Sequence, residues 1–131
     1  MDYYFSTFLK NSTFDEAVQR TTEALKQEGF GVLTEIDMKA TLKKKLNVNF
    51  RNYKILGACN PPLAYKALQS EDKIGAMLPC NIIVQEMESG IIEIAAVDPA
   101  ASMLAVKNDA LISVAETVRD KLKNVIGNLT S

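Results

Sequence analysis

Histidine and tryptophan are missing from this chain, and cysteine occurs only twice. Without an imidazole, Ser-His-Asp and Cys-His catalysis, histidine-ligated zinc and histidine-based pH sensing are excluded. Cys59 and Cys80 are too few for a disulfide framework and do not stand in a C-x-x-C pair. No stretch approaches the roughly 20 apolar residues of a membrane-crossing helix. The first residues, Met1-Asp2-Tyr3-Tyr4-Phe5-Ser6, lack the basic start and apolar run of a secretory signal. A surplus of either charge is lacking too. Fifteen basic side chains face 16 acidic ones, leaving a net charge of -1 and no bulk field to hold nucleic acid or an anionic membrane. The expectation is a cytoplasmic protein with no nucleic-acid or membrane partner, no metal and no cofactor.

What is present fits one domain spanning residues 1–131. A chain of 131 residues, 47% of them hydrophobic, can bury about two-thirds of its unfolded surface and build one core. Tyr3 to Leu9 is aromatic and β-branched and reads as a strand. Thr13-Phe14-Asp15-Glu16 forms a capping box, after which Phe14, Ala17, Val18, Thr21, Ala24 and Leu25 share a helical face, with Gly29 as the stop. Residues 31–36 read as a second strand, Asp37 as the cap of a small helix over 38–46, and Phe50 to Ala58 as a third strand. Pro61-Pro62 opens another helix. Pro79 to Glu86 and Ile91 to Val97 form a predicted antiparallel hairpin about Glu88-Ser89-Gly90. Asp98-Pro99 starts a short turn, and Leu111, Val114, Ala115, Val118, Leu122, Val125, Ile126 and Leu129 trace a long amphipathic helix. The order β-α-β-α-β-α-β-β-α-α implies an α+β fold, a mixed and largely antiparallel sheet with helices packed on it.

Three strands run straight into a helix through an Asx cap: Ile36-Asp37, Cys59-Asn60-Pro61 and Val97-Asp98-Pro99. Each helix start presents unpaired amides and a positive dipole end. Where strands are parallel their C-terminal ends share one edge, and if even two of these three junctions lie together they would form a polar mouth for a small, anionic metabolite. The bland alternative is that an Asx cap is a common way to begin a helix, worth about 1 kcal/mol, and needs no ligand. Candidate ligand-binding residues are Glu35, Asp37, Lys39, Asn60, Asn81 and Asp98. Lys39 lies in the first turn after Asp37 and can either meet an anion or pair with Glu35; Lys43, Lys44 and Lys45 read as a solvated basic face.

The cysteines carry the competing reading. Cys59 precedes a helix start, where a dipole favours the thiolate, and the dipeptide Cys-Asn recurs at Cys80-Asn81. Cys59 as nucleophile and Cys80 as resolving partner would make a thiol-dependent redox or nucleophilic enzyme. That requires the two sulfurs to lie close together. Two buried structural thiols explain the same residues without chemistry. Tyr3, Tyr4, Phe5 and Phe8 put aromatics on both faces of the first strand, which an edge strand pairing across a two-fold axis, or burial beneath helices, would explain.

The segments Gly29-Phe30-Gly31-Val32-Leu33-Thr34-Glu35-Ile36-Asp37-Met38-Lys39-Ala40-Thr41-Leu42, Tyr53-Lys54-Ile55-Leu56-Gly57-Ala58-Cys59-Asn60-Pro61-Pro62-Leu63-Ala64, Leu78-Pro79-Cys80-Asn81 and Ala96-Val97-Asp98-Pro99 occur in this order. In them the chain resembles, over nearly its whole length, the prokaryotic domain-of-unknown-function family 302. The resemblance implies a compact, dimeric α+β domain. It also places Glu35, Asp37, Lys39, Cys59, Asn60, Cys80, Asn81 and Asp98 inside signature segments. Tyr65 departs from the histidine that the resemblance leads one to expect. No function comes with the family.

Overall fold

The computed structural model describes residues 2–129; Met1, Thr130 and Ser131, the ends of the expected domain span, lie outside the described residues. The elements are β1 (Tyr4–Leu9), α1 (Phe14–Gln27), β2 (Gly31–Asp37), α2 (Met38–Leu46), β3 (Tyr53–Cys59), α3 (Pro61–Ser70), a 3-10 turn (Asp72–Met77), β4 (Cys80–Glu86), β5 (Ile92–Val97), α4 (Pro99–Ser102) and α5 (Ala110–Asn128). The strands form one sheet in the order β1-β5-β4-β3-β2. All four pairings are antiparallel. The α+β expectation therefore holds, with a sheet that is antiparallel throughout.

Local chemistry explains the elements. The Thr13 hydroxyl accepts from the Glu16 amide at 3.2 Å, the first half of the capping box, while the Glu16 carboxylate reaches back to the Thr13 hydroxyl, at 3.1 Å, in place of the Thr13 amide. At its tail Gly29 takes a positive φ of 85°, and the amides of Gly29 and Phe30 return to Lys26 and Leu25. Ala17, Thr21, Ala24 and Leu25 form the buried stripe of α1, and the Thr21 hydroxyl is satisfied by the Ala17 carbonyl at 2.7 Å. The 3-10 turn was not foreseen, because Asp72–Met77 offers one buried apolar side chain, Ile74, and no period to read. The third strand begins at Tyr53 rather than Phe50: residues 47–52 make the return from α2.

The helices cover one face of the sheet. Leu9, Leu56, Ala58, Ile82, Val84, Ile92, Ile94 and Ala96 point into that face and meet Ala17, Leu25, Leu122 and Val125 from α1 and α5. Strand alternation sends Tyr4, Phe8, Asn81, Ile83, Gln85, Glu93 and Ala95 to the opposite, open face. α2 packs against β2 and β3, with none of its side chains fully buried.

Candidate functional site

The antiparallel sheet decides where the three junctions go. Gly31 pairs with Cys59, Ala58 with Cys80, Ile82 with Ala96 and Tyr4 with Val97, so the ends of β3 and β5 and the start of β4 share one end of the sheet. Asp37 pairs with Lys54 at the start of β3, so it closes β2 at the other end. Two of the three junctions therefore lie at one end of the sheet and the third at the other. Asn60 and Asp98 share an end, while Glu35, Asp37 and Lys39 lie at the opposite one, because neighbouring strands run in opposite directions.

Most of the candidate polar groups are already engaged. Asp37 accepts from the Ala40 amide at 2.9 Å as the cap of α2. Glu35 pairs with Lys54 at 2.8 Å rather than with Lys39. That hydrogen bond is the main cause holding the Lys54 ammonium above its ordinary pKa; burial opposes it, and the charges of Glu35, Asp37 and Asp15 add to it. Asn60 accepts from the Leu63 amide at 3.4 Å and donates to the Glu28 carbonyl at 3.3 Å, tying α3 to the end of α1. Asp98 is 4% exposed. It accepts from the Ala100 amide at 3.0 Å and from Arg119 Nε at 3.3 Å, and its own amide donates to the Tyr3 carbonyl. The Arg119 guanidinium lies 5.3 Å from the Phe5 ring centre. The caps occupy the Ala40, Leu63 and Ala100 amides, donors that an anion at these helix starts would need. Lys39 remains exposed on α2.

The cysteines come together. Cys59 and Cys80 both line a cavity of about 30 Å³ among Phe30, Leu63, Met103 and Val118. A water needs about 10–15 Å³, so the space suits one or two waters and no metabolite. Burial pushes the Cys80 thiol up to about 11, and the neighbouring Cys59 adds to the shift. A resolving cysteine must give up its proton to attack, and this environment opposes that. Both thiols are free. Among the described residues no group of three or more histidine, cysteine, aspartate and glutamate side chains could hold a metal ion.

Asn81 is the exception. It stands one residue past Cys80 and therefore faces the open side of the sheet, where it is exposed. It borders a hollow of about 370 Å³ shared with Tyr3, Tyr4, Ile83, Gln85 and Glu93. Tyr3 and Tyr4 meet edge to face, 5.2 Å between ring centres, and form one wall. Along the floor Gln85 donates to Glu93 at 2.7 Å, and from outside the hollow Arg51 donates to Gln85 at 2.8 Å. Among the described residues the Asn81 carboxamide has no hydrogen-bond partner. The sequence named Asn81 only as the second half of a repeated dipeptide. Tyr3, Tyr4, Gln85 and Glu93 carry no motif, and only strand alternation once the register was known could have joined them.

A family model described as "Domain of unknown function DUF302" matches residues 5–129. A crystal structure of the uncharacterized conserved protein DUF302 from Bacillus stearothermophilus superposes with a TM-score of 0.88 at 26% sequence identity. That alignment covers 97% of this chain and 98% of the other. None of the curated proteins matches. No helix among the described residues is long and apolar enough to cross a membrane.

Proposed function

The chain belongs to the DUF302 family, and we propose that it is a homodimeric, non-covalent binding module that seats a small ligand in the open-face hollow beside Asn81. One observation carries this reading: Asn81 offers both a donor and an acceptor to a hollow of about 370 Å³, within the range of roughly 300–1,000 Å³ that small-molecule sites occupy. The other buried or capping polar candidates are consumed by the fold. The ligand chemistry departs from the anion expected at the helix starts. Glu93 is the charged side chain lining the hollow, and the walls are tyrosine rings and Ile83. A flat, uncharged or weakly basic ring carrying an amide-like donor and acceptor fits that lining, since aromatic faces favour stacking and the carboxylate repels anions.

Two unpaired thiols suit a reducing compartment, in keeping with a cytoplasmic location. The homodimer reading is supported by Ile36 at the β2 edge and Leu46 on the adjoining α2, both left exposed.

The test is a screen of flat heterocyclic fragments against isotope-labelled protein. Binders are expected to move the Asn81 side-chain amide and the Ile83 and Ala95 signals together, and Asn81→Leu is expected to abolish the effect. Binders that move only signals around Cys59 and Met103, and survive Asn81→Leu, would overturn this assignment in favour of the sulfur-lined cavity.

A further inference from the structure

The near-neutral charge of the chain hides a separation. Residues 38–52, covering α2 and its return to β3, contain Lys39, Lys43, Lys44, Lys45 and Arg51 and no acid. The rest of the chain therefore holds ten of the 15 cations against all 16 acids. Arg51 is spoken for by Gln85 and the Phe50 ring. The four lysines form no ion pair among the described residues. α2 also leaves Leu46 66% exposed, followed by Val48 at 43%. α2 packs on β2 and β3 with Met38, Thr41 and Leu42 half-buried, which leaves Leu46 and the lysines on a face that its own chain does not cover.

The matching surface lies at the same end of the molecule. Asp15, Gln19 and Glu23 of α1 line a groove whose other wall is Lys54. Lys54 is neutralised by Glu35, and Asp37 lies near enough to act on it. Counting Lys26, which also lines the groove, four carboxylates face two ammonium groups there. Asp37 is at once the register partner of Lys54 and the cap from which α2 departs. Arm and groove therefore emerge together, as a two-fold contact requires: each copy must present both halves on one side.

We propose that the basic arm, residues 38–52, docks in the Asp15–Glu23 groove of a second copy of this chain, reciprocally across a two-fold axis. The proposal rests on the homodimer reading above and assigns its surfaces. A second copy is the occupant that the charges favour over an anionic membrane or polymer, because the body that carries the arm is itself acidic and would be repelled by either. Leu46 and Val48 supply the apolar part of the contact, and the lysines set its register and its salt sensitivity.

Sedimentation equilibrium of the whole chain tests this, with circular dichroism checking that each variant stays folded. The native protein is expected to dimerise at micromolar concentration, more weakly in molar salt. Changing Lys43, Lys44 and Lys45 together to glutamate is expected to weaken the dimer by about 100-fold or more, and so is Asp15→Lys with Glu23→Lys, since like charges are then opposed. Mixing the two variants is expected to restore association, as a heterodimer. Lys→Arg changes at the same three positions keep the charge and are expected to leave the dimer intact. If both charge-reversed proteins dimerise like the native chain, the assigned surfaces are wrong while the dimer stands. If the native chain is a monomer at high micromolar concentration, the homodimer reading fails and this inference with it.

Discussion

Replacing Asp98 by alanine separates a carboxylate that holds the fold from one kept for chemistry. Three contacts meet at this residue: the cap to Ala100, the pair with Arg119 and the main-chain bond to Tyr3. The last survives the substitution. The cap is worth about 1 kcal/mol. A hydrogen bond to a charged group contributes about 2 kcal/mol. Arg119 keeps 35% of its side chain exposed and can turn to water, so the larger penalty for stranding a buried charge does not apply in full. Together they amount to about 3 kcal/mol. At about 2.1 cal/mol/K per residue of unfolding entropy, a chain of 131 residues would melt about 10 °C lower.

The assay is urea unfolding of the native protein, Asp98→Ala, Arg119→Met and the double variant, a cycle that isolates the pair from the cap. The methionine retains an apolar stem over Phe5. A coupling energy of about 1–2 kcal/mol is expected, as for contacting residues in general. An Asp98→Ala loss below about 0.5 kcal/mol, the size of an ordinary surface change, would refute the reasoning. It would mean that Asp98 is idle in the folded state and free to act on a ligand.

The cysteines give a second outcome. Alkylating reagent near neutral pH should modify Cys59 and leave Cys80 untouched until the protein unfolds. Because the Cys80 pKa is raised from 9.0 to about 11, the unfolded chain loses its proton first, and native stability should fall as pH rises from about 9 to about 11. At about 1.4 kcal/mol per unit the loss is about 3 kcal/mol. Lys54, also raised, gives up its own contribution at alkaline pH in both proteins, so the native chain compared with Cys80→Ala isolates the thiol; equal slopes would contradict the burial argument. A Cβ on Gly57 would crowd the Thr34 hydroxyl and come within 2.7 Å of Pro79 Cγ, so Gly57→Ala should cost about 1–3 kcal/mol in thermal unfolding. Gly29→Ala meets a left-handed φ and brings the new Cβ to 3.0 Å from Asn60 Nδ2; about 2 kcal/mol of destabilisation is expected, and wild-type stability would show that the Asn60 bridge to Glu28 does not hold α1 to α3.

Local chemistry was legible in the residues themselves. Thr13 and Glu16, the Asx residues before Met38, Pro61 and Pro99, and the apolar stripes of α1 and α5 act through neighbours no more than four residues away, so their partners are written beside them. Each of the three Asx caps forms the bond its position implied: Asp37 to Ala40, Asn60 to Leu63 and Asp98 to Ala100. The hairpin of β4 and β5 belongs to the same class, because its turn lies within the segment. The sulfur pair was half legible. Both cysteines were conspicuous, but their meeting depends on Ala58 pairing with Cys80.

Sheet direction and register were decided only by the whole fold. A strand's sequence carries alternation and length but no record of which neighbour it joins or which way that neighbour runs. The choice falls to the packing of distant apolar faces, such as Leu56 against Ile82 and Leu122. From that choice follow the division of the polar junctions between two ends, the placing of Asn81 beside Tyr4 and Glu93, and the emergence of the lysine-bearing arm next to Asp15. The physical reason is range: caps and stripes are settled within a turn or two of chain, whereas a surface site is assembled from side chains that only the buried core brings together.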